Sequence, residues 1–517
     1  MNDDDRLTRY LADQASALTL SPADPAAVVR RGSRRRNRRR AGIAGVAALA
    51  VGVASFSVIT RDEPDATVDS GLAAAVVASP LDWTVISPEV GLGYSRATTV
   101  VDGSIYSLST APGPYDGEGS FEPSLYRSDD GAGWSEVSLP TGVRPSSLAA
   151  AGGTLYAIGT APAGGGRDLV VSASTDGAAS WSSVTLPAEV AGLEARHPGE
   201  IVISQPSVAA TDATHLVATV VVTANPDVEA LLPGVADPNA GWEITPDGVT
   251  VYELAPCEDA KCGADVPVTV VDGEEGAVRR AGDPEPMEPK VRGTYTWDEL
   301  GLDPELRSLI GGRTHAFAAD DGETFEEVTL PGDVSGWGGQ VLATDDGYRL
   351  FLGGGRDNAS THVLRSADGH TWVEAGTIAG SPQSAGLLGG RPAVAVYGVD
   401  GFTGVFVNRS GDSWMPLDLA SAVDGANSSE GVGEVAFGPL GVAAVLWTDG
   451  SPGGTHIVHS LDGTTVSSIS VQDHIAEPGA VMGVSVSADA ILIRVDAPND
   501  DNSETVPTQQ VLVGTPH

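Results

Sequence analysis

Residues 366–372 read Ser-Ala-Asp-Gly-His-Thr-Trp, and this stretch is the clearest copy of a turn motif that recurs along the chain. An Asp side chain at this position can accept backbone N–H bonds across a tight turn, and the following Gly supplies the positive φ that such a turn needs. The aromatic residue begins the next strand, where it can fill the gap between neighbouring sheets. The motif therefore predicts a β-hairpin that is closed by polar bonds and followed by one buried ring.

Five further segments carry the same turn in degenerate form, at intervals of about 43–60 residues except across one long insertion. Residues 408–414 have lost the Asp, and residues 460–466 have lost the aromatic. We assign a structural role, either holding the turn or filling the gap between sheets, to the motif residues of all six copies. These residues are Ser128, Asp130, Gly131, Trp134, Ser174, Asp176, Gly177, Trp181, Asp321, Gly322, Phe325, Ser366, Asp368, Gly369, Trp372, Gly411, Trp414, Ser460, Asp462 and Gly463.

A second hairpin precedes each strand–turn–strand unit, and seven such hairpins can be counted between residues 102 and 490. Residues 83–88 resemble a fourth strand with nothing before it, and residues 509–516 resemble a third strand with nothing after it. Paired with each other, they complete one four-stranded sheet and leave no exposed edge at the junction. The sequence thus predicts an all-β domain over residues 81–517, a seven-bladed β-propeller closed by N- and C-terminal strands.

This pattern resembles the Asp-box (BNR-repeat) propeller superfamily, which includes sialidases, and the resemblance covers about residues 83–517. It implies the fold but not the function, because the superfamily holds both enzymes and pure binding proteins. The sialidase pattern has an early Arg-Ile-Pro, two further arginines that grip a carboxylate, a Tyr–Glu pair and an Asp. No Arg-Ile-Pro occurs here, and Tyr348-Arg349 is the nearest Tyr–Arg grouping. The resemblance therefore assigns no catalytic residue, and we expect neither a cofactor nor a metal.

One long insertion, at about residues 223–313, separates a predicted second strand (216–222) from its third strand (314–319). Successive turns of an up-and-down sheet alternate between its two ends, so the insertion is expected on the face opposite the Asp-box turns. It serves either as a decorated loop over the channel mouth or as a specificity lid. Thr296 and Glu299 fit a capping box, and Asp303-Pro304 fits the start of a short helix over about 303–310.

Two features of the insertion leave alternatives open. Residues 245–248, Thr-Pro-Asp-Gly, mimic the repeated turn and would give an eighth blade; seven is preferred because no separate first hairpin accompanies them. Cys257 and Cys262 are the chain's two cysteines and could close a small loop. Outside the cytoplasm a disulfide is the natural interpretation, whereas a zinc site would need further ligands that the neighbouring sequence does not offer.

Residues 41–60 form an uncharged apolar run of 20 residues, long enough to cross a bilayer core. The preceding segment, residues 1–40, holds ten Arg and five Asp. The positive-inside rule then predicts a cytoplasmic segment at 1–40, one transmembrane helix at 41–60, a linker at 61–80 and an extracytoplasmic propeller. A cleaved signal peptide is the alternative.

Composition and charge limit the classes of molecule that this chain is expected to bind. The chain carries a net charge of −40, which disfavours nucleic acids. Only two Lys occur among its 517 residues, while Ala, Gly and Val abound, a composition typical of high-GC bacteria such as actinobacteria. These features favour a monomeric, non-catalytic binding or scaffolding module for a protein or a cell-envelope glycan. The alternatives are a divergent sialidase-like glycoside hydrolase and a transmembrane signalling protein that acts through residues 1–40.

Overall fold

The computed structural model shows a nearly all-β protein with a few short helices. It describes residues 75–87, 95–110, 123–131, 133–163, 166–187, 192–193, 196–232, 240–245, 247–253, 268–270, 278–280, 290–331, 338–353, 360–398, 401–423, 432–448, 454–476, 478–479, 481–496 and 509–517. All of these residues belong to one compact unit, Asp65–His517.

Seven sheets, each with four antiparallel strands and numbered here in chain order, make up most of the described residues; the sixth gains a fifth, parallel strand. Two strands precede them in the chain, β1 (Ala75–Val76) and β2 (Leu81–Ile86), and both join sheets formed near the other end. Sheet 1 contains β3 (Ser95–Val101), β4 (Ser104–Thr110), β5 (Pro123–Ser128) and β6 (Ser135–Val137). Sheet 2 contains β7 (Arg144–Ala151), β8 (Thr154–Ala163), β9 (Gly166–Ser174) and β10 (Ser182–Thr185).

Sheet 3 is interrupted by the insertion. It begins with β11 (Ile201–Ala210) and β12 (Leu216–Ala224). The insertion then holds α1 (Val228–Leu231), β13 (Ala240–Thr245), β14 (Gly248–Glu253), β15 (Val268–Val270), β16 (Val278–Arg280), β17 (Lys290–Thr296), α2 (Trp297–Leu300) and α3 (Pro304–Arg307). Sheet 3 resumes with β18 (Arg313–Ala319) and β19 (Glu326–Val328).

The remaining sheets follow without interruption. Sheet 4 contains β20 (Gln340–Thr344), β21 (Gly347–Gly353), β22 (Ser360–Ser366) and β23 (Val373–Ala379). Sheet 5 contains β24 (Ser381–Leu388), β25 (Arg391–Gly398), β26 (Gly401–Ser410) and β27 (Ser413–Leu417). Sheet 6 contains β28 (Val432–Gly438), β29 (Gly441–Trp447), β30 (Thr455–Ser460) and β31 (Thr465–Ser470). Sheet 7 contains β2 together with β32 (Val481–Val486), β33 (Ile491–Asp496) and β34 (Gln509–Pro516). Short 3₁₀ helices lie at Ala420–Ala422 and Val471–Asp473.

The two ends of the chain share sheet 7, as the sequence predicts. β2 pairs antiparallel with β34, with Trp83 opposite Gly514 and Ile86 opposite Val511. Gly514 leaves room for the Trp83 ring, because a methyl group there would lie 2.8 Å from the indole carbons. The N-terminal strand is therefore the outermost strand of a sheet whose other three strands come from the end of the chain.

Residues 75–80 form a strap that joins sheet 6 before the chain enters sheet 7. β1 pairs in parallel with β31, opposite Thr465 and Val466. Ser79 then accepts hydrogen bonds at Oγ from the Leu81 backbone (3.2 Å) and from Trp83 Nε1 (3.1 Å). Sequence reasoning had placed these residues in a linker and did not foresee the fifth strand.

The insertion forms small sheets of its own. β14 lies between β13 and β17 in a three-stranded sheet, and β15 pairs with β16. Thr245 and Gly248 turn the β13–β14 hairpin, where Gly248 N donates to Thr245 Oγ1 at 3.0 Å. The fully buried Trp297 of α2 donates from Nε1 to Thr245 O at 2.9 Å. The turn that mimics an Asp box thus belongs to a three-stranded sheet in the described part of the insertion, not to a further four-stranded one.

The capping box and the short helix expected at the end of the insertion are both present. Thr296 and Glu299 form the reciprocal capping box at the start of α2. Asp303 caps α3, and Pro304 occupies its first turn. α3 ends at Arg307, three residues before the expected end, because the backbone of residues 309–312 closes into short-range turns instead.

Aromatic side chains fill the gaps between neighbouring sheets. Trp414 of sheet 5 is 1% exposed and meets Phe351 of sheet 4 edge-to-face, with ring centroids 5.7 Å apart. Trp372 is buried between sheets 3 and 4. Rings in this geometry contribute about 0.5–1.5 kcal/mol beyond the free energy of burying their area. Much of the core is thus distributed as layers between the sheets.

Two predicted features lie outside the described residues. One is the apolar segment 41–60, with the cytoplasmic segment 1–40 and the first part of the linker. The other is the cysteine pair, Cys257 and Cys262. Among the residues that are described, no helix has the length and apolar character needed to span a membrane.

Candidate functional site

The first strands of all seven sheets line one cavity of about 690 Å³. Their walls are built mainly from Ala, Ser, Thr and Val side chains. Among the described lining residues, Glu434 is the one ionisable side chain, and Arg, Lys, His and Tyr are absent. The cavity is therefore polar but nearly uncharged.

Six of these seven innermost strands leave regular pairing close to where they begin. A β-bulge inserts an extra residue into one strand and redirects its side chain. Four of the bulged segments contribute a polar lining residue: Ser146, Gln205, Gln383 and Glu434. Because the innermost strands begin at the end where second and third strands connect, these residues lie at the insertion end of the cavity.

Three glutamines from adjacent sheets converge at this end; we call Gln205, Gln340 and Gln383 the glutamine cluster. Gln340 Nε2 donates to the Gln383 carbonyl oxygen at 2.7 Å, which joins sheets 4 and 5. Gly338 lies between Gln205 and Pro382, the residue that precedes Gln383. A methyl group on Gly338 would lie 3.4 Å from Gln205 Oε1 and 3.5 Å from Pro382 Cγ. The Gln205 backbone has a φ of +48°, a conformation that L-residues rarely adopt.

Polar contacts tie most neighbouring innermost strands together. They span five of the seven junctions between consecutive sheets in the described residues, including the junction between sheets 7 and 1. The contacts are Val341 N to Ser207 Oγ (3.4 Å), Gln340 Nε2 to Gln383 O (2.7 Å), Ser384 Oγ to Val435 O (2.9 Å), Val484 N to Glu434 Oε2 (3.1 Å) and Thr98 Oγ1 with Ser485 Oγ (3.2 Å).

Glu434 is half-buried in the wall between sheets 6 and 7. Burial raises the pKa of its carboxyl above the usual value, although the hydrogen bond from Val484 and the charge of Arg494 oppose the shift. The folded protein therefore holds the carboxyl proton of Glu434 more tightly than a fully solvated carboxyl would. One such carboxyl, without a second in the described lining, does not make the paired arrangement that glycoside hydrolysis uses.

The Asp-box residues lie at the opposite end, in the turns between third and fourth strands. In the clearest copy, Gly369 N donates to Ser366 Oγ at 2.9 Å, and Thr371 N donates to Asp368 Oδ1 at 2.8 Å. Trp372 Nε1 closes the turn by donating to Gly369 O at 2.8 Å. The hydrogen bond from Thr371 is the main cause that holds the pKa of Asp368 below its usual value.

The other copies keep different parts of this network. Ser128, Asp130, Gly131 and Trp134 make the same set of bonds. Ser174, Asp176 and Gly177 turn the next copy, where the Ser180 hydroxyl is the main cause that lowers the pKa of Asp176 to about 2. Trp181 instead reaches the preceding sheet and donates to Ser138 O at 2.8 Å.

The three remaining copies each lack part of the network seen in the clearest copy. Asp321 accepts from Thr324 N (2.6 Å), Gly322 has positive φ, and Phe325 is buried. In the copy with Gly411 and Trp414, the Asn408 side chain donates to Gly411 O (2.9 Å) in place of the lost Asp. Ser460 accepts from Gly463 N (3.0 Å), and Asp462 accepts from Thr465 N (2.8 Å).

The Tyr–Arg grouping considered from the sialidase pattern serves the fold. Tyr348 OH donates to His215 O at 2.8 Å, and burial raises its pKa. Arg349 is buried and pairs with Asp346 at 2.7 Å. Neither residue lines the cavity. The described residues also contain no group of three or more His, Cys, Asp or Glu side chains that could hold a metal ion.

Sequence reasoning missed the glutamine cluster and Glu434. Their signal is a polar residue beside Pro or Gly at the start of a first strand, as in Gln205-Pro206, Pro382-Gln383 and Gly433-Glu434. Proline in a strand marks an edge or a bulge, which would have pointed to redirected side chains there.

Comparison with known proteins gives likenesses in fold at low identity. No family model matches the chain, and no curated protein matches it. A solved Hadza microbial sialidase, Hz136, is 14% identical with a TM-score of 0.36, over 71% of this chain and 64% of that one. The endosialidase of phage phi92 is 13% identical with a TM-score of 0.32, over 84% of this chain and 69% of that one.

A third solved structure is the Trypanosoma rangeli sialidase in complex with sialic acid. It is 12% identical with a TM-score of 0.30, over 86% of this chain and 60% of that one. This chain thus spans less than two thirds of the Hz136 and T. rangeli sialidases. At these TM-scores the likenesses say nothing about function.

Proposed function

We propose that this chain is a seven-bladed propeller of the sialidase-like Asp-box superfamily, anchored in the cytoplasmic membrane by residues 41–60. Outside the cytoplasm it acts as a non-catalytic binding or scaffolding module. Its partner is a protein or a glycan of the cell envelope. The chemistry of the central cavity is the observation that carries this proposal.

Glycoside hydrolases of the common kind flank the scissile bond with two carboxyl groups, about 5–10 Å apart. The described lining of the cavity supplies one, Glu434, which already accepts a hydrogen bond from Val484 N at 3.1 Å. The sialidase pattern also requires arginines to grip a carboxylate, and none lines the cavity in the described residues. This lining supports binding without turnover.

Two contacts support seven blades in a closed ring. β2 and β34 complete sheet 7 from the two ends of the chain. Thr98 of sheet 1 bonds Ser485 of sheet 7 at 3.2 Å, so the last sheet in the chain meets the first. A ring closed in this way leaves no free sheet edge at the junction.

The anchor is supported by the uncharged run 41–60 and the arginines that precede it. A tag at each end of the chain tests the topology in intact spheroplasts. We expect external protease to remove the C-terminal tag and spare the N-terminal one. Loss of both tags, or release of the propeller from the membrane fraction as a shorter chain, would contradict a retained anchor.

The absence of catalysis is tested with the full-length chain in lipid nanodiscs. We expect no hydrolysis of sialyllactose or of isolated envelope polysaccharides, measured by release of reducing ends. Turnover that Glu434→Gln abolishes, while Gln510→Ala on β34 leaves it unchanged, would show that the module is an enzyme.

A further inference from the structure

We propose that the glutamine cluster is a binding site for an uncharged sugar residue, so that the partner of this module is a neutral glycan. The inference rests on the proposed function and gives that function a ligand class. The cluster lies at the insertion end of the cavity, where sheets 3, 4 and 5 meet.

Two of the three amides are presented to solvent. Gln205 and Gln383 are both exposed, and their side chains have no hydrogen-bond partner among the described residues. Gln340 lies between them and is held in place by its bond to the Gln383 carbonyl. The cluster therefore offers fixed and free amide groups side by side, each free amide with donors and an acceptor.

The chemistry of the surroundings selects an uncharged, polar ligand. An anion would find no cationic side chain in the described lining and would meet a chain of net charge −40. A cation would find a single carboxyl in the described lining, Glu434, one oxygen of which already accepts from Val484 N at 3.1 Å. An apolar ligand would strip water from Gln205 and Gln383 without replacing their hydrogen bonds. Hydroxyl groups on adjacent carbons of a sugar can both donate to and accept from a side-chain amide.

The bulges argue against an extended peptide as the occupant. A peptide that adds to a sheet edge needs a regular row of backbone donors and acceptors. The channel-facing edges of β11, β24 and β28 are broken by bulges at the positions of Gln205, Gln383 and Glu434. Bulges of this kind disfavour strand addition while they direct side chains into the cavity.

Backbone strain at Gln205 is a second observation that points to a site. Its φ of +48° is unfavourable for a residue with a side chain, and the following Pro206 restricts its conformation further. Strained residues of this kind cluster at ligand sites, where the surrounding structure maintains them. The Gln205 side chain reaches the segment before β20, since a methyl group on Gly338 would lie 3.4 Å from its Oε1.

The test uses the full-length chain in lipid nanodiscs without glycoside detergents, and saturation-transfer NMR with soluble probes. The probes are neutral fragments of galactan, arabinan, mannan and glucan, together with lactose and 3′-sialyllactose as a pair that differs by one anionic sugar. We expect at least one neutral fragment to bind, and lactose to compete with it better than sialyllactose. The double variant Gln205→Ala/Gln383→Ala should weaken that binding at least tenfold.

Gln510→Ala provides the matched control, because it makes the same change on β34, away from the cavity lining. Gln383→Glu is a second variant that keeps the side-chain shape, and it should also weaken binding. Failure of every neutral fragment to bind, equal binding by the double variant, or preferential binding of sialyllactose or of an extended peptide would each overturn the inference. Those results would leave a non-catalytic module standing, whereas hydrolysis of a bound fragment would overturn the proposed function instead.

Discussion

Gln205 combines a left-handed backbone conformation with an exposed side chain. The conformation is strained and the exposed side chain buries little surface, so neither feature stabilises the fold. An L-residue in this conformation costs about 1–2 kcal/mol, and glycine avoids the cost but loses about 0.5–1 kcal/mol through its freer unfolded chain. We therefore expect Gln205→Gly to raise the free energy of unfolding by about 0.5–1 kcal/mol, measured by urea denaturation, while it weakens sugar binding. Gln205→Ala is the control, since it removes the amide but keeps the strain. A destabilised Gln205→Gly would show that the side chain supports the fold.

Glu434 gives the cavity a pH-dependent contribution to stability. Because burial raises the pKa of its folded-state carboxyl, the folded protein holds this proton more tightly than the unfolded chain does. Its contribution is full below the unfolded pKa of about 4.3 and is lost as the pH rises through the folded value. Glu434→Gln keeps an oxygen that can accept from Val484 N but cannot ionise. We expect this variant to be more stable than wild type at pH 7 and equal to it below pH 4, measured by thermal unfolding across pH. A stability difference that does not change with pH would contradict this.

Single residues differ in how far the sequence predicts them. The Asp-box residues can be assigned because each has a local role in one turn: the Asp accepts backbone N–H bonds, the Gly adopts positive φ, and the aromatic residue begins the next strand. Gln205 and Gln383 act through long-range proximity, since one lies on sheet 3 and the other on sheet 5. No local pattern brings them together; they meet because the first strands of sheets 3 and 5 line the same cavity. The bulges that expose them depend on pairing with a second strand, which sequence spacing does not record.

At the scale of elements, the strap depends on one hydroxyl. Ser79 Oγ accepts from the Leu81 backbone and from Trp83 Nε1, and it lies 3.3 Å from His459 Nε2. Burial lowers the pKa of His459 to about 4, so this imidazole is neutral at pH 7. Ser79→Ala would leave the partly buried Leu81 N–H and Trp83 Nε1–H without this acceptor, and we expect it to lower the free energy of unfolding by about 1 kcal/mol.

The exposed Ser135 on β6 gives a matched control for this prediction, since it bonds Arg127 O at 3.4 Å on the protein surface. Ser135→Ala should change the urea midpoint by much less than Ser79→Ala. Equal effects of the two substitutions would show that the strap contributes little.

Elements with a local signature were predictable, and those built by distant pairing were not. The capping box of Thr296 and the Asp303-Pro304 start are local, and both helices begin where expected. Residues 245–248 mimic the repeated turn in sequence, but the sequence does not show that they belong to a three-stranded sheet, because the third strand, β17, lies about 40 residues downstream. Parallel pairing of β1 with β31 joins residues nearly 400 apart in the chain and has no sequence period at all.

At the scale of the whole molecule, β34 is the strand that closes sheet 7. Val511, Leu512 and Val513 are buried there, and each contributes about 2 kcal/mol by its burial. We expect deletion of residues 509–517 to lower the free energy of unfolding by roughly 6 kcal/mol, and to expose β2 and β33 to limited proteolysis. A short extension after the exposed His517 is the control and should be tolerated. A truncated chain that resists protease as well as wild type would contradict closure by this strand.

The repeated turn motifs make the set of sheets easier to predict than the residues that line the cavity. Six turn motifs at regular intervals, with orphan strands at both ends, lead to seven sheets by counting alone. The cavity depends on which side chains face the axis, and the first strands carry no motif that sets them apart. Glu434 and Ser485 lie on different sheets, and their positions at the cavity follow from the packing of those sheets and not from sequence spacing.

The pairing of β2 with β34 also means that sheet 7 can be completed only late in the synthesis of the chain. A ribosome adds about 5–20 residues per second, so roughly 20–85 s separate the synthesis of Leu81–Ile86 from that of Gln509–Pro516. Throughout that interval Trp83 and its neighbours have no partner strand, while earlier sheets can already form. In a chain that stalls anywhere before Gln509, β2 therefore has no β34 to pair with, and its backbone donors and acceptors stay unpaired on that side.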